Sequence, residues 1–222
     1  MFLRIAIFDF DGTVYANETF KVLMEHLKHH PTYHSNYRTF YRQILPLYIG
    51  YKTKIVSEAT MKERSMQLYV NALGSLNQNE LQHYFAELKA SMQNDFNHEV
   101  VSRIHQHHTE GIFTMLVSGA YTPLLHAVTE GLPFDAIIGT EVPYTIDQQL
   151  DRQKSIYHIQ GKRKNEKIME ALQSKDIDWT NSYAYGDSYS DLSVLELVGS
   201  PVAVKPKKRL AQIANERDWE II

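Results

Sequence analysis

Five short apolar runs alternate with helical segments along this chain. Each is short enough for a buried strand and too short for a buried helix. They are Leu3 to Phe8, Ile112 to Val117, Ala136 to Ile138, Ser182 to Tyr185 and Val202 to Val204. Runs of this length, bounded by glycine and polar residues, read as strands. Strands that alternate with helices imply a parallel sheet covered on both faces. In such a sheet the loops after the strands open at one edge, where open α/β sheets bind ligands.

The first of those loops is Asp9-Phe10-Asp11-Gly12-Thr13. Two carboxylates two residues apart at a strand end provide a nucleophile and a proton donor. Ser118-Gly119 follows the second run, and Gly186-Asp187-Ser188-Tyr189-Ser190-Asp191 follows the fourth. A basic helix start, Gly161-Lys162-Arg163-Lys164, lies between these two loops. One crevice is thereby expected to gather four carboxylates, a hydroxyl and an ammonium.

Between the first and second strands the pattern is helical throughout. Leu23 and Leu27, Phe40, Ile44 and Leu47, Met61 and Leu68, then Leu81, Phe85 and Leu88 recur at helical spacing. Pro31, Pro46, Gly50 and Gly74 are expected to divide this region into several helices. Residues 15–96 are therefore expected to form a cap, with residues 1–14 and 97–222 making the α/β core. Residues 142–160 read as a hairpin or loop.

Composition narrows the classes. The 222 residues are 43% hydrophobic and 22% charged, ordinary for a globular protein. The net charge of −3, with no long basic run, argues against a nucleic-acid partner. Lys205, Lys207, Lys208 and Arg209 form a small basic cluster, expected to be a solvated loop and helix start. Cysteine is absent, which excludes disulfides and thiolate chemistry. No stretch approaches the ~20 apolar residues of a membrane span. Without an evident leader, the expectation is a cytoplasmic protein with no membrane partner. His29, His30, His34, His105, His107 and His108 show no metal-ligand pattern and are expected at the surface.

Four segments in order, Asp9-x-Asp11-Gly-Thr, Val117-Ser118-Gly119, Lys164 and Gly186-Asp187-x-x-x-Asp191, resemble the haloacid dehalogenase superfamily. The helical insertion after the first segment resembles the layout of its phosphoserine-phosphatase-like branch, subfamily IB. The resemblance implies a Rossmann-like core, an Mg²⁺ cofactor and a small phosphorylated metabolite as substrate. It implies that Asp9 is the nucleophile, forming an aspartyl-phosphate, and that Asp11 is the general acid and then base. Asp9, the backbone carbonyl of Asp11, Asp187 and Asp191 are the implied metal-site residues. Ser118 would hold phosphoryl oxygens, and Lys164 would neutralise charge, with Lys162 and Lys167 as competitors. Glu18, Thr13 and Gly119 are the candidates for substrate contact.

The chain departs from the phosphoserine phosphatases in three places. Position 12 is Gly where they usually carry Ser. The cap lacks their Ala-Met-x-Gly segment and the Arg that follows it. Arg38, Arg42 and Arg64 stand elsewhere. The expected activity is hydrolysis of another small phosphomonoester. Phosphoserine hydrolysis, or transfer to an acceptor other than water through the same intermediate, is the alternative.

Overall fold

Strand β1, Ile5–Phe8, is buried along its whole length, and its side chains alternate between two hydrophobic layers. Ile5 and Ile7 pack on one face with Ile168, Leu195 and Leu210. Ala6 and Phe8 pack on the other with Tyr121, Leu124 and Val100. This is the period-2 geometry of a strand with both faces covered. The computed structural model describes residues 2–222.

Helices α1 (Thr19–His29), α2 (His34–Lys52), α3 (Glu58–Ala72), α4 (Gln78–Ala86) and α5 (Lys89–Gln93) follow β1, and α6 (His98–Thr109) leads back to the sheet. Next come β2 (Phe113–Tyr121), α7 (Thr122–Val128), β3 (Ala136–Thr140), α8 (Lys162–Leu172) and β4 (Tyr183–Gly186). Helix α9 (Leu192–Leu195), β5 (Ser200–Ala203), α10 (Lys208–Glu216) and β6 (Glu220–Ile221) complete the order. All strand pairs are parallel, in the order β3-β2-β1-β4-β5-β6. The chain moves outward from β1 in one direction through β2 and β3, and in the other through β4 and β5. The switch point therefore lies between β1 and β4, where a ligand crevice is expected.

The expected α/β class and parallel sheet are present. Three details differ. The sheet has a sixth strand, β6, which has only two exposed residues at the edge and no apolar run to announce it. Strand β2 continues through Ser118-Gly119 to Tyr121, with a register irregularity between Val117 and Tyr121. Pro46 and Gly50 do not end a helix, because both lie inside α2. Proline removes one intrahelical N–H donor. The carbonyl it leaves unpaired belongs to Arg42, which is exposed to water. Pro31 and Gly74 do fall between helices, as expected.

The chain leaves the sheet and returns to it through one paired neck. Ala16 N–H donates to Asp95 O at 3.0 Å, Asn97 N–H donates to Val14 O at 2.8 Å, and Tyr15 bridges Phe96. The helices beyond the neck share their interior with one face of the sheet. Leu23, Phe40, Tyr69 and Phe85 join the same buried cluster as Phe8, Phe10 and Tyr121. Residues 141–161 are a loop with a short Tyr144–Leu150 bridge.

Candidate active site

Asp9 immediately follows β1, and its N–H donates to Tyr185 O at 3.0 Å. The chain then turns sharply: Thr13 N–H and Tyr15 N–H both donate to Phe10 O, and Gly12 N–H donates to Tyr15 O. Gly12 has φ +78°, the left-handed region that favours glycine. A Cβ there would also run into the Asp187 carboxylate. Gly12→Ala is therefore expected to destabilise the protein by at least ~1–2 kcal/mol from backbone strain alone. It should also displace Asp187, and urea unfolding checks the stability loss.

Lys164 lies in the first turn of α8 and is buried, with its ammonium between two carboxylates. Nζ donates to Asp9 Oδ1 at 2.6 Å and to Asp191 Oδ1 at 2.7 Å. Burial alone would lower its pKa, but Asp191 and Asp9 more than reverse this and hold it above the ordinary lysine value. The competitors take other positions: Lys167 pairs with Glu170 at 2.6 Å, and Lys162 is exposed. Asp191 closes a local turn. Its Oδ2 accepts from the Ser188 hydroxyl at 2.8 Å and the Ser188 N–H at 3.3 Å.

Asp9, Asp187 and Asp191 are all buried, and each presents one carboxylate oxygen within 4.8 Å of the others. Burial, followed by the negative charge of Asp191, raises the Asp9 pKa well above its ordinary value. Burial also raises Asp187, with Lys207 opposing the rise. Three hard oxygen donors this close together, of which Asp9 and Asp187 resist ionisation without added positive charge, suit a small divalent cation such as Mg²⁺. These side chains fit the implied metal.

Asp11 stands apart from this cluster. Its Oδ1 accepts from the N–H of Thr19 at 3.0 Å and from the Thr19 hydroxyl, at the first turn of α1. Burial pushes its pKa up to about 6, against the opposing hydrogen bonds from Thr19. A carboxyl poised near neutrality beside an ionic cluster has the properties of a general acid and base.

The remaining candidates divide into two groups. Ser118 is buried, and its Oγ accepts from the Ala120 N–H at 3.1 Å. A Cβ at Gly119 would lie 2.7 Å from His158 Nε2, so bare backbone faces that ring. Thr13 is fully buried, and its Oγ1 has no partner among the described residues. Glu18 is exposed at the rim, with Oε1 3.2 Å from Lys207 Nζ.

Sequence reasoning missed two groups near the site. Lys207 is exposed, as expected of a solvated cluster, yet it also places Nζ 2.8 Å from Asp187 Oδ2. Its distance in sequence from every acidic loop hid this. His158 is buried against Gly119, and burial pushes its pKa down to about 4, leaving it neutral. It lies in the segment read only as hairpin or loop.

Two histidines expected at the surface are buried. His107 Nε2 lies 2.8 Å from the Tyr185 hydroxyl. His30 joins His26 and Glu87 in a group among the inserted helices that has the residue types of a metal site. However, His30 Nδ1 accepts from the N–H groups of Thr32 and Tyr33 at 3.0 and 3.1 Å. The ring proton is therefore on Nε2, which faces Glu87 Oε2 at 3.2 Å. A protonated nitrogen offers no lone pair to a metal, so the group reads as a polar tie between α1 and the end of α4.

A parallel sheet with carboxylate loops beside its switch point and helices inserted after its first strand defines the class as a Rossmann-like α/β fold with a helical insertion. The chain belongs to the haloacid dehalogenase-like hydrolase family, which it matches over residues 6–196. It is 33% identical over 124 residues to the "inhibition of morphological differentiation protein" of Streptomyces azureus, covering 56% of this chain and 44% of that one. The chain thus spans less than half the length of that relative. A protein of unknown function from Bordetella pertussis has the same fold, with a TM-score of 0.81, 19% identity and coverage of 100% and 99%. A phosphoserine phosphatase captured as a phospho-aspartyl intermediate analogue superposes with a TM-score of 0.61 at 18% identity, covering 100% and 93%.

Proposed function

We propose that this protein is an Mg²⁺-dependent phosphatase that hydrolyses a small phosphomonoester through a phosphoryl group carried on Asp9. The observation that carries the reading is the division of four carboxyls into two sets. Asp9, Asp187 and Asp191 surround Lys164 and Lys207, while Asp11 sits apart with a pKa of about 6. Family membership and the fold shared with a phosphoserine phosphatase support it.

Asp9, Asp187 and Asp191 would hold the cation, which supplies positive charge for the phosphoryl oxygens and the nucleophile. Lys164 adds a fixed charge on the same side and orients Asp9 Oδ1, leaving Oδ2 to attack phosphorus. As the P–O bond to the leaving group breaks, Asp11 gives its proton to the departing oxygen. In the second half Asp11, now ionised, takes a proton from water, and that water attacks the phosphoryl group. The bond to Asp9 breaks, which releases phosphate and restores the carboxylate. Ser118 and the bare backbone at Gly119 line the place for phosphoryl oxygens, and Thr13 lies in the same turn as Asp9. Helix α3 reaches the core at three points and would cover the leaving group. Glu63 pairs with Arg163 at 2.9 Å, Gln67 accepts from Ile156 N–H at 2.7 Å, and Ala59 O accepts from Gln160 at 3.1 Å.

Phosphate release from a panel of phosphomonoesters, with and without Mg²⁺, tests the reading. Absence of Mg²⁺-stimulated release from every ester would contradict it. Asp11→Asn is expected to slow alkyl-ester cleavage by about 10²–10⁴-fold. The first step with p-nitrophenyl phosphate should survive, because its leaving group needs no proton. The pH profile carries the same sign. Above about pH 6 the protonated share of Asp11 falls roughly tenfold per pH unit. Acid-dependent cleavage of alkyl esters should fall with it, and first-turnover release of p-nitrophenolate should not.

A further inference from the structure

Helix α2 carries an apolar stripe that nothing in the protein covers. Its buried face, Phe40, Ile44 and Leu47, packs into the cap interior. A second row, Tyr41, Leu45, Tyr48 and Ile49, follows i, i+4, i+7, i+8 spacing, and its members are 40–53% exposed. Ile55, three residues beyond the helix, extends the row and is 83% exposed.

The charge around this row has one sign. From His34 to Ser57 the chain contains Arg38, Arg42, Lys52 and Lys54, all exposed, and no Asp or Glu. The chain as a whole has a net charge of −3, so this segment runs against its balance. Glu58, the next acid along the chain, is paired with Lys62 at 2.8 Å. The two tyrosines have apolar rings and polar tips, the form that settles at a boundary between hydrocarbon and water. Lys52 already extends along the Tyr48 ring, with Nζ 5.3 Å from its centre.

We propose that this face of α2 docks on an anionic lipid surface. The row would enter the headgroup boundary while the four cations meet lipid phosphates. A second copy of the chain fits less well. Antiparallel pairing of two α2 helices would bring Arg38 and Arg42 of one copy against Lys52 and Lys54 of the other, with no acid between them. No helix among the described residues is long and apolar enough to cross a membrane, so this contact would be peripheral.

Sedimentation of the full chain with vesicles tests the proposal. Vesicles with about one-third phosphatidylglycerol in phosphatidylcholine are expected to bind at least ~10-fold more protein than pure phosphatidylcholine at low salt. The excess should disappear at about 0.5 M salt. Tyr48→Ser with Ile49→Ser, and separately Arg38→Gln, Arg42→Gln, Lys52→Gln and Lys54→Gln together, should each remove most of the binding. All these side chains are exposed, so melting temperature and phosphate release from a soluble ester should stay at wild-type values. Equal binding to both vesicle types, or binding that either variant leaves intact, overturns the proposal. A dimer in sedimentation equilibrium that Tyr48→Ser with Ile49→Ser dissociates would also overturn it, by assigning the face to self-association.

Discussion

Asp9→Asn is expected to lower phosphate release by at least about 10⁴-fold while leaving the fold intact, as loss of a reacting nucleophile does elsewhere. Asparagine keeps the shape of the side chain and can still accept a hydrogen bond from Lys164. It cannot form the phosphoryl bond. The expected effect on stability has the opposite sign to the effect on activity. Burial raises the Asp9 pKa well above its ordinary value, so its ionised form disfavours the folded state at neutral pH. Such a group contributes stability at low pH and loses it as pH rises through the folded-state value. A neutral amide removes that penalty. The Tm of Asp9→Asn at pH 7 should therefore equal or exceed that of the wild type. Thermal melting and phosphate release measured on the same sample separate this outcome from simple unfolding.

Lys164→Met is expected to cause the other large loss, in stability as well as rate. The ammonium is only 7% exposed and holds Asp9 at 2.6 Å and Asp191 at 2.7 Å. Removing one partner of a buried ionic cluster costs about 3–5 kcal/mol, because the remaining charges stay buried. That corresponds to a fall of about 10 °C in Tm for a chain of this size. The loss should depend on pH. Without the ammonium Asp9 faces Asp191 with no Lys164 charge to oppose it, and the Asp9 pKa rises further. The variant is then closest to wild-type stability at low pH and falls behind as pH increases. Urea unfolding at acidic and alkaline pH checks this sign. The rate should fall by about 10²–10³-fold, the usual cost of losing one positioned charge.

Much of this site was legible in the sequence because each strand end announces its loop. Asp9, Asp11, Asp187 and Asp191 follow β1 and β4, which are neighbours in the sheet. Short apolar runs followed by glycine and aspartate mark such positions without any knowledge of tertiary contacts. The choice of Lys164 over Lys162 and Lys167 rests in the sequence on the Gly161-x-x-Lys164 spacing, and the folded helix adds a second distinction. Lys164 shares a buried helix face with Ile168 and Leu172, whereas Lys162 is exposed.

What was hidden depends on contacts between distant segments. Lys207 reaches Asp187 because β5 returns beside β4 and α10 begins at the same sheet edge. Like its neighbours Lys205 and Lys208 it is exposed, so composition gave no reason to single it out. His158 sits in a loop with no regular pattern, and only the folded chain brings it against Gly119. The proline at position 46 fits within α2 where Arg42, whose carbonyl it leaves unpaired, is an exposed residue, a property of packing and not of the proline. The link between Asp11 and Thr19 ties the loop after β1 to α1, and spacing alone does not reveal it.

The proposed mechanism stands or falls on phosphoryl transfer through Asp9. Rapid acid quench during turnover of a small phosphomonoester with Mg²⁺, followed by peptide mass spectrometry, tests it most directly. The predicted result is a phosphoryl group on the peptide containing Asp9, absent without Mg²⁺ and absent in Asp9→Asn. Label on another residue, or steady phosphate release by Asp9→Asn at near wild-type rate, would contradict it.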